Sequence, residues 1–95
     1  MSSDCRRRII YRGRVQGVGF RATVRGIASN YPVTGFVRNL PDGTVELIVA
    51  GEEASIEEFL TAVRERMATN ISREEAEATP GDLLNESFQG FTIRR

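Results

Sequence analysis

A glycine-rich segment between Gly13 and Arg21 constrains the fold more than any other part of the chain, because the pattern of apolar residues changes there. Before it, residues 8–12 alternate between arginine and apolar residues, interrupted at Ile10, which is typical of a β-strand. After it, apolar residues recur at helical spacing and predict an amphipathic helix: Phe20, Val24, Ile27, Ala28 and Tyr31. The chain therefore passes from a strand into a helix through a turn that contains several glycines.

The next segment has the signals of a β-hairpin. Pro32 predicts the end of the first helix, because the residue before a proline is pushed out of the helical region. Two runs of strand character follow, at residues 33–40 and 44–50. Between them, Pro41 and Gly43 occupy the second and fourth positions of a turn, as a type I turn prefers.

The last half of the chain predicts one further helix and two strands. Apolar residues at helical spacing over residues 56–67 predict the second helix, and Ser55 and Glu58 have the spacing of a capping box. Weak alternation in a segment rich in glutamate favours a charged edge strand. We expect that strand at residues 71–79, a loop over residues 80–86 and a last strand at residues 88–94.

The element order β-α-β-β-α-β with an extra C-terminal strand predicts a ferredoxin-like α+β sandwich. This fold has a mixed, mostly antiparallel five-stranded sheet with two helices on one face, and we expect it to form a single domain over residues 1–95. A right-handed first crossover makes strands one and two parallel. Asn39, at the end of strand two, should then lie beside the glycine loop.

The glycine loop has the features of an anion site. Gly17 and Gly19 permit positive φ, so the backbone N–H groups of residues 15–20 can converge on an oxygen-rich anion. Arg21 falls in the first helical turn, where the helix dipole disfavours a cation unless an anion lies between them. Arg25, one turn further on, is compatible with a supporting role. The loop therefore predicts a phosphate-sized site, with a plain strand-to-helix turn as the alternative.

Missing residue types exclude several kinds of chemistry. The chain has no histidine, and all 13 basic residues are arginine. Without histidine there is no imidazole base, and without lysine there is neither a Schiff base nor a P-loop lysine. The only cysteine, Cys5, cannot form an internal disulfide, and we expect it to be incidental. A zinc site built from histidine or cysteine is likewise excluded, so we expect no metal and no cofactor.

Charge is distributed unevenly along the chain, although 13 basic and 13 acidic residues balance overall. Residues 1–38 carry eight arginines and one carboxylate, a net charge of +7, whereas residues 39–95 carry a net charge of −7. The positive half surrounds the glycine loop and should attract small anions. Zero net charge and 7% aromatic residues argue against a nucleic-acid partner. No apolar run approaches a membrane span of about 20 residues, and residues 1–8 lack a secretory signal, so we expect a cytoplasmic monomer.

Three motifs together resemble the acylphosphatases: residues 13–21, the sequence Gly-Phe-Val-Arg-Asn at residues 35–39, and Gly-Thr-Val at residues 43–45. The resemblance implies that Asn39 positions an attacking water. It implies an enzyme that hydrolyses small acyl phosphates to a carboxylate and inorganic phosphate, with phosphate also acting as an inhibitor. It also implies that the phosphate is bound by the loop amides and the loop arginine: Val15, Gln16, Gly17, Val18, Gly19, Phe20 and Arg21.

Other functions remain open at the level of sequence. A non-catalytic phosphate-binding module, or an acylphosphatase-like domain that handles carbamoyl phosphate in a larger protein, would need the same anion loop. A G-x-G-x-x-A match at residues 17–22 is a weak dinucleotide signal, because no acidic residue ends strand two. An RNA binder with the same element order would need aromatic residues on the central strands, and residues 45–49 contain none.

Overall fold

The structure, a computed structural model, describes residues 5–95, and its main elements follow the predicted order. Residues 1–4, part of the segment in which we expect no secretory signal, lie outside the described residues. The elements are β1 (Cys5–Gly13), α1 (Phe20–Ala28), β2 (Thr34–Asn39), β3 (Val45–Gly51), α2 (Glu53–Arg66), β4 (Ile71–Glu77), α3 (Gly81–Leu84) and β5 (Phe91–Arg94).

The five strands form one mixed sheet in the order β4-β1-β3-β2-β5. The central strand β3 pairs antiparallel with both β1 and β2, and β2 pairs in parallel with β5. Because β1 and β2 both run antiparallel to β3, they point the same way, and their carboxyl ends lie at one edge of the sheet. The predicted ferredoxin-like α+β fold is confirmed, with the charged strand β4 at an edge as expected.

The two faces of the sheet carry apolar clusters of different size. One face packs against α1 and α2 and holds the main core, whose largest members are Tyr11, Phe20, Leu47, Ile56 and Phe59. The other face, which we call the open face, carries a smaller cluster of Phe36, Ile48, Leu83 and Phe88. The two predicted helices therefore share a face, and the one-turn helix α3 lies on the opposite one.

The segment before β5 differs from prediction. The loop expected over residues 80–86 contains α3, which buries Leu83 against the open face. The last strand begins at Phe91, not at residue 88, because the Phe88 ring leaves the sheet edge and packs against Phe36 with 5.9 Å between ring centroids. One buried leucine in a polar segment leaves no periodicity by which a one-turn helix could be predicted.

The predicted capping box is wrong. Helix α2 begins at Glu53 with Glu52 at its N-cap, and no side chain caps it. Ser55 therefore lies inside the helix. The carboxylates of the glutamates at the start of α2 interact favourably with the positive end of the helix dipole. This interaction stabilises a helix that begins earlier than the spacing of the apolar residues alone predicts.

Glu46 is the only charged residue that is fully buried within residues 5–95. It lies on β3 at the open face, where its carboxylate accepts hydrogen bonds from Arg8 Nε at 2.6 Å and Arg38 Nε at 2.5 Å. A buried carboxylate is tolerated when it is paired and hydrogen-bonded. These three residues therefore link β1, β3 and β2 on the face opposite α1.

Candidate functional site

Residues 14–19 join β1 to α1, and Gly17 and Gly19 each adopt φ of +77°. A Cβ atom at either position would meet no other atom within 4 Å, so the backbone conformation and not the available space requires glycine. Gly19 is the N-cap of α1 and supplies no capping side chain, and the first turn contains no acidic residue. Helix α1 therefore begins with N–H groups that no side chain of residues 5–95 caps.

Two contacts fix this loop against other parts of the chain. At its start, Arg14 N donates to Asn70 O at 2.9 Å, and Asn70 Nδ2 donates to Arg14 O at 3.1 Å. Further along, Gln16 Nε2 donates to the carbonyl oxygens of Leu40 at 2.9 Å and Thr44 at 2.8 Å. The loop is thus attached to the turn between β2 and β3.

The loop and the start of α1 form one wall of an open cavity of about 260 Å³. Five of the seven residues predicted to bind phosphate line it, whereas Gln16 bonds to the β2–β3 turn and Val18 is exposed at the surface. The full lining is Val15, Gly17, Gly19, Phe20, Arg21, Ala22, Ile93 and Arg95.

Sequence reasoning missed the second wall of this cavity. Ile93 belongs to β5 and Arg95 follows that strand, and both line the cavity together with the loop. Only the parallel pairing of β5 with β2 brings them there, with Ile93 next to Val37. The interpretation of the last segment as a strand was correct, but nothing in the chain predicts which residues share its edge of the sheet.

The cavity is cationic. Its lining includes two arginines, Arg21 and Arg95, and no aspartate or glutamate. Neither arginine takes part in an ion pair within residues 5–95, whereas arginines such as Arg7 and Arg64 are paired with glutamates. Since the N-terminus of α1 adds positive potential, the arrangement favours an anionic ligand.

The cavity lacks a side chain suited to act as a general base. No residue of its lining has a carboxylate, imidazole or thiol side chain. Tyr11 lies in the main core with its ring centroid 5.3 Å from that of Phe20, and burial, as the main cause, raises the pKa of its hydroxyl well above the ordinary value of 10. Tyr11 therefore remains a neutral phenol near neutral pH.

Asn39 lies at the carboxyl end of β2, where it pairs with Val45 and does not contribute to the cavity lining. The next residue, Leu40, accepts the hydrogen bond from Gln16, so Asn39 lies beside the loop, as the parallel direction of β1 and β2 predicts. Its Oδ1 is shielded from solvent and accepts no hydrogen bond from residues 5–95. Burying an acceptor without a partner costs about 1–3 kcal/mol, which marks this atom as suited to bind a ligand or a water.

The structure does not bring Arg25 into the same cavity. Arg25 lines a separate cleft of about 270 Å³ near the end of α1, together with Tyr31 and Phe91. Cys5 is half-buried against the main core and lies in β1, away from the cavity lining. Neither residue belongs to the site formed by the glycine loop.

The open face gives no support to an RNA-binding role. Phe36, the aromatic residue of β2 on that face, is fully buried, with the Arg94 guanidinium 4.0 Å from its ring centroid. Stacking on nucleobases needs exposed rings on the central strands. Within residues 5–95, no helix has the length and apolar character needed to cross a membrane.

Comparison with known proteins agrees with this geometry. The acylphosphatase family model matches residues 7–93. An acylphosphatase from Caldivirga maquilingensis is 43% identical over 99% of this chain and 98% of its own length, and one from Bacillus licheniformis is 42% identical over 90% and 93%. The crystal structure of acylphosphatase from Bacillus subtilis, 30% identical, covers 95% of this chain and 98% of its own with a TM-score of 0.78. The chain belongs to the acylphosphatase family, the enzymes that hydrolyse acyl phosphates.

Proposed function

We propose that this chain hydrolyses small acyl phosphates in the cavity beside the glycine loop, with Arg21 binding the phosphoryl group and Asn39 holding the attacking water. One observation carries the proposal. An arginine without an ion pair in residues 5–95 lies at an uncapped helix N-terminus, in a cavity lined by no acidic side chain.

Binding of the phosphoryl group follows from the donors in the cavity wall. The Arg21 guanidinium can donate two parallel hydrogen bonds, one to each of two phosphoryl oxygens. The backbone N–H groups of residues 15–20, in the conformation that Gly17 and Gly19 permit, are the donors for the remaining oxygens. Each bond strengthens as negative charge builds on the phosphoryl oxygens during transfer.

Hydrolysis then requires a positioned water. Asn39 Oδ1 accepts a hydrogen bond from that water and directs its lone pair at phosphorus, opposite the acyl oxygen. The new bond joins the water oxygen to phosphorus, while the bond from phosphorus to the acyl oxygen breaks and its electron pair leaves with the carboxylate. Since no side chain of the cavity lining is suited to act as a base, the water proton passes to a phosphoryl oxygen.

We propose that the reaction needs neither a metal nor a cofactor. The leaving group is a carboxylate, which is stable without protonation, and Arg21 with the helix N-terminus supplies positive charge at the phosphoryl oxygens. We also propose that inorganic phosphate, which presents the same oxygens, is both product and inhibitor. We propose further that the chain works as a cytoplasmic monomer of one domain.

The test is hydrolysis of benzoyl phosphate by the purified chain, with and without a chelator, followed by addition of inorganic phosphate. We expect full turnover in the chelator and competitive inhibition by phosphate. Loss of turnover in the chelator with recovery in magnesium would contradict the metal-independent mechanism. If phosphate raised the thermal midpoint but no acyl phosphate were hydrolysed, the chain would be a non-catalytic phosphate-binding module.

A further inference from the structure

The turn between β2 and β3 is the part of the chain to which the middle of the glycine loop is attached. Both acceptors of the Gln16 amide are backbone carbonyl oxygens of that turn, at Leu40 and Thr44. Thr44 O also accepts a hydrogen bond from Leu40 N at 2.9 Å, so it joins the two ends of the turn as well as the loop. The position of the loop therefore depends on what holds Thr44 in place.

Asp42 is the side chain that holds Thr44. Its Oδ1 accepts hydrogen bonds from Thr44 Oγ1 at 2.6 Å and from Thr44 N at 3.1 Å. Thr44 is only 3% exposed, whereas Asp42 is exposed and forms no ion pair within residues 5–95. These hydrogen bonds therefore connect a surface carboxylate to a buried residue that also bonds to the loop.

Other residues set the backbone shape of this turn. Gly43 adopts φ of +91°, and its N–H donates to Leu40 O at 3.2 Å, which closes the turn. Pro41 fixes φ at the second position, as a type I turn prefers. The contribution specific to Asp42 is thus the orientation of Thr44, whose carbonyl oxygen bonds to the loop.

We propose that Asp42 is a positioning residue for acyl phosphate hydrolysis and that it acts through Thr44 and Gln16. This inference rests on the proposed function. Asn39 directly precedes Leu40, so a shift of the Thr44 carbonyl would move the loop donors relative to the water that Asn39 holds. Asp42 is absent from the cavity lining and would contact no reacting atom.

Water positioning and phosphate binding should respond differently to the loss of this carboxylate. Phosphate needs Arg21 and the loop amides, and the start of the loop stays fixed by two hydrogen bonds between Arg14 and Asn70. Hydrolysis also needs Asn39, which lies at the end of β2. Loss of Asp42 should therefore lower kcat and leave the inhibition constant of inorganic phosphate little changed. A role in stability alone would change neither quantity for the folded molecules.

The test measures benzoyl phosphate turnover, phosphate inhibition and denaturant unfolding for two variants of one position. Asp42→Ala removes the acceptor and should lower kcat about fivefold. Asp42→Asn keeps a side-chain oxygen that can accept from Thr44, and its kcat should stay within about twofold of the unchanged chain. Asp82→Ala is the matched control, because it removes an exposed carboxylate from α3 on the open face. It should change neither kcat nor the inhibition constant.

A double mutant tests whether Gln16 transmits the effect. In the Gln16→Ala background, Asp42→Ala should lower kcat by less than about twofold, because the connection to the loop is already lost. The proposal is overturned if Asp42→Ala lowers stability with kcat unchanged, if Asp42→Asn is impaired equally, or if the two losses in kcat multiply in the double mutant. In each of these cases the unchanged chain still hydrolyses benzoyl phosphate and the proposed function stands. Absence of hydrolysis by the unchanged chain would instead contradict the proposed function.

Discussion

The side-chain amide of Gln16 donates a hydrogen bond of 2.9 Å to the backbone carbonyl oxygen of Leu40. Leu40 directly follows Asn39, so one side chain sets the position of the glycine loop relative to the end of β2. The same nitrogen also donates to Thr44 O at 2.8 Å. The groups that would bind the phosphoryl oxygens and the group that would hold the water are therefore positioned relative to each other.

Gln16→Ala should lower kcat about tenfold, because a small displacement of the loop from Asn39 spoils the alignment of water and phosphorus. It should also cost about 1–2 kcal/mol of unfolding free energy through two lost hydrogen bonds. Turnover of benzoyl phosphate and denaturant unfolding measure the two effects. Gln89→Ala, at an exposed glutamine, is the control, and equal behaviour of both variants would refute a positioning role for Gln16.

Arg21→Ala should lower kcat/KM by about 3 kcal/mol, or more than a hundredfold, because it removes a charge contact that strengthens in the transition state. Arg21→Lys should also be impaired, since an ammonium lacks the planar fork. Steady-state kinetics with phosphate inhibition measures both effects, with Arg25→Ala as the control in the separate cleft. Near-normal turnover and phosphate inhibition in Arg21→Ala would assign phosphate binding to another arginine, such as Arg95.

Asp42 should make the stability of the β2–β3 turn depend on pH. Its carboxylate accepts hydrogen bonds from Thr44 Oγ1 at 2.6 Å and Thr44 N at 3.1 Å, and these lower its pKa below the ordinary value of 3.8. Because the pKa is lower in the folded chain, the stabilisation is present above about pH 4 and is lost as pH falls through the folded-state value.

Asp42→Ala should therefore lower the thermal midpoint at pH 7, and the difference from the unchanged chain should narrow as the solution is acidified. Thr44→Val removes the hydroxyl donor and should weaken the same pH dependence. Thermal melts across the acid range measure how the difference in midpoint between each variant and the unchanged chain depends on pH. A difference that stays constant with pH would show that the Asp42 carboxylate is not responsible.

Glu46→Gln should destabilise the chain by about 2 kcal/mol while leaving kcat unchanged. The variant replaces a buried carboxylate, which accepts hydrogen bonds from Arg8 and Arg38, with a neutral amide. The amide cannot balance the positive charge of the two guanidinium groups. Glu77→Gln, at an exposed position of β4, is the control and should change neither quantity. A large fall in kcat for folded Glu46→Gln would connect the open face to the site, contrary to its position on the other side of the sheet.

Sequence periodicity was sufficient to predict the elements that bury a continuous apolar face. The helical spacing from Phe20 to Ala28 and from Ile56 to Val63 gave α1 and α2, because each repeats over several turns. The parallel direction of β1 and β2 followed from the crossover rule, and it placed Asn39 beside the loop. The local sequence pattern and the order of the elements along the chain are therefore sufficient to predict these two helices and the direction of these two strands.

Features that depend on single side chains could not be predicted in the same way. Leu83 and Phe88 cover the open face through contacts with Phe36, and no local pattern reports such a contact. Arg95 reaches the cavity only because β5 pairs with β2. Which distant strands pair with each other depends on how the whole sheet packs. The part of the cavity lining formed by the glycine loop was therefore predicted, and the part that follows from the pairing of β5 with β2 was not.

Asn39→Ala tests the central claim most directly, because Oδ1 has no hydrogen-bond partner in residues 5–95 and its removal should break no hydrogen bond within the described part of the protein. We predict that kcat for benzoyl phosphate falls at least about a hundredfold, since the contact with water acts mainly in the transition state. The inhibition constant of inorganic phosphate and the thermal midpoint should change little. Unchanged turnover with a lowered midpoint would make Asn39 a turn residue and contradict its role in holding the water.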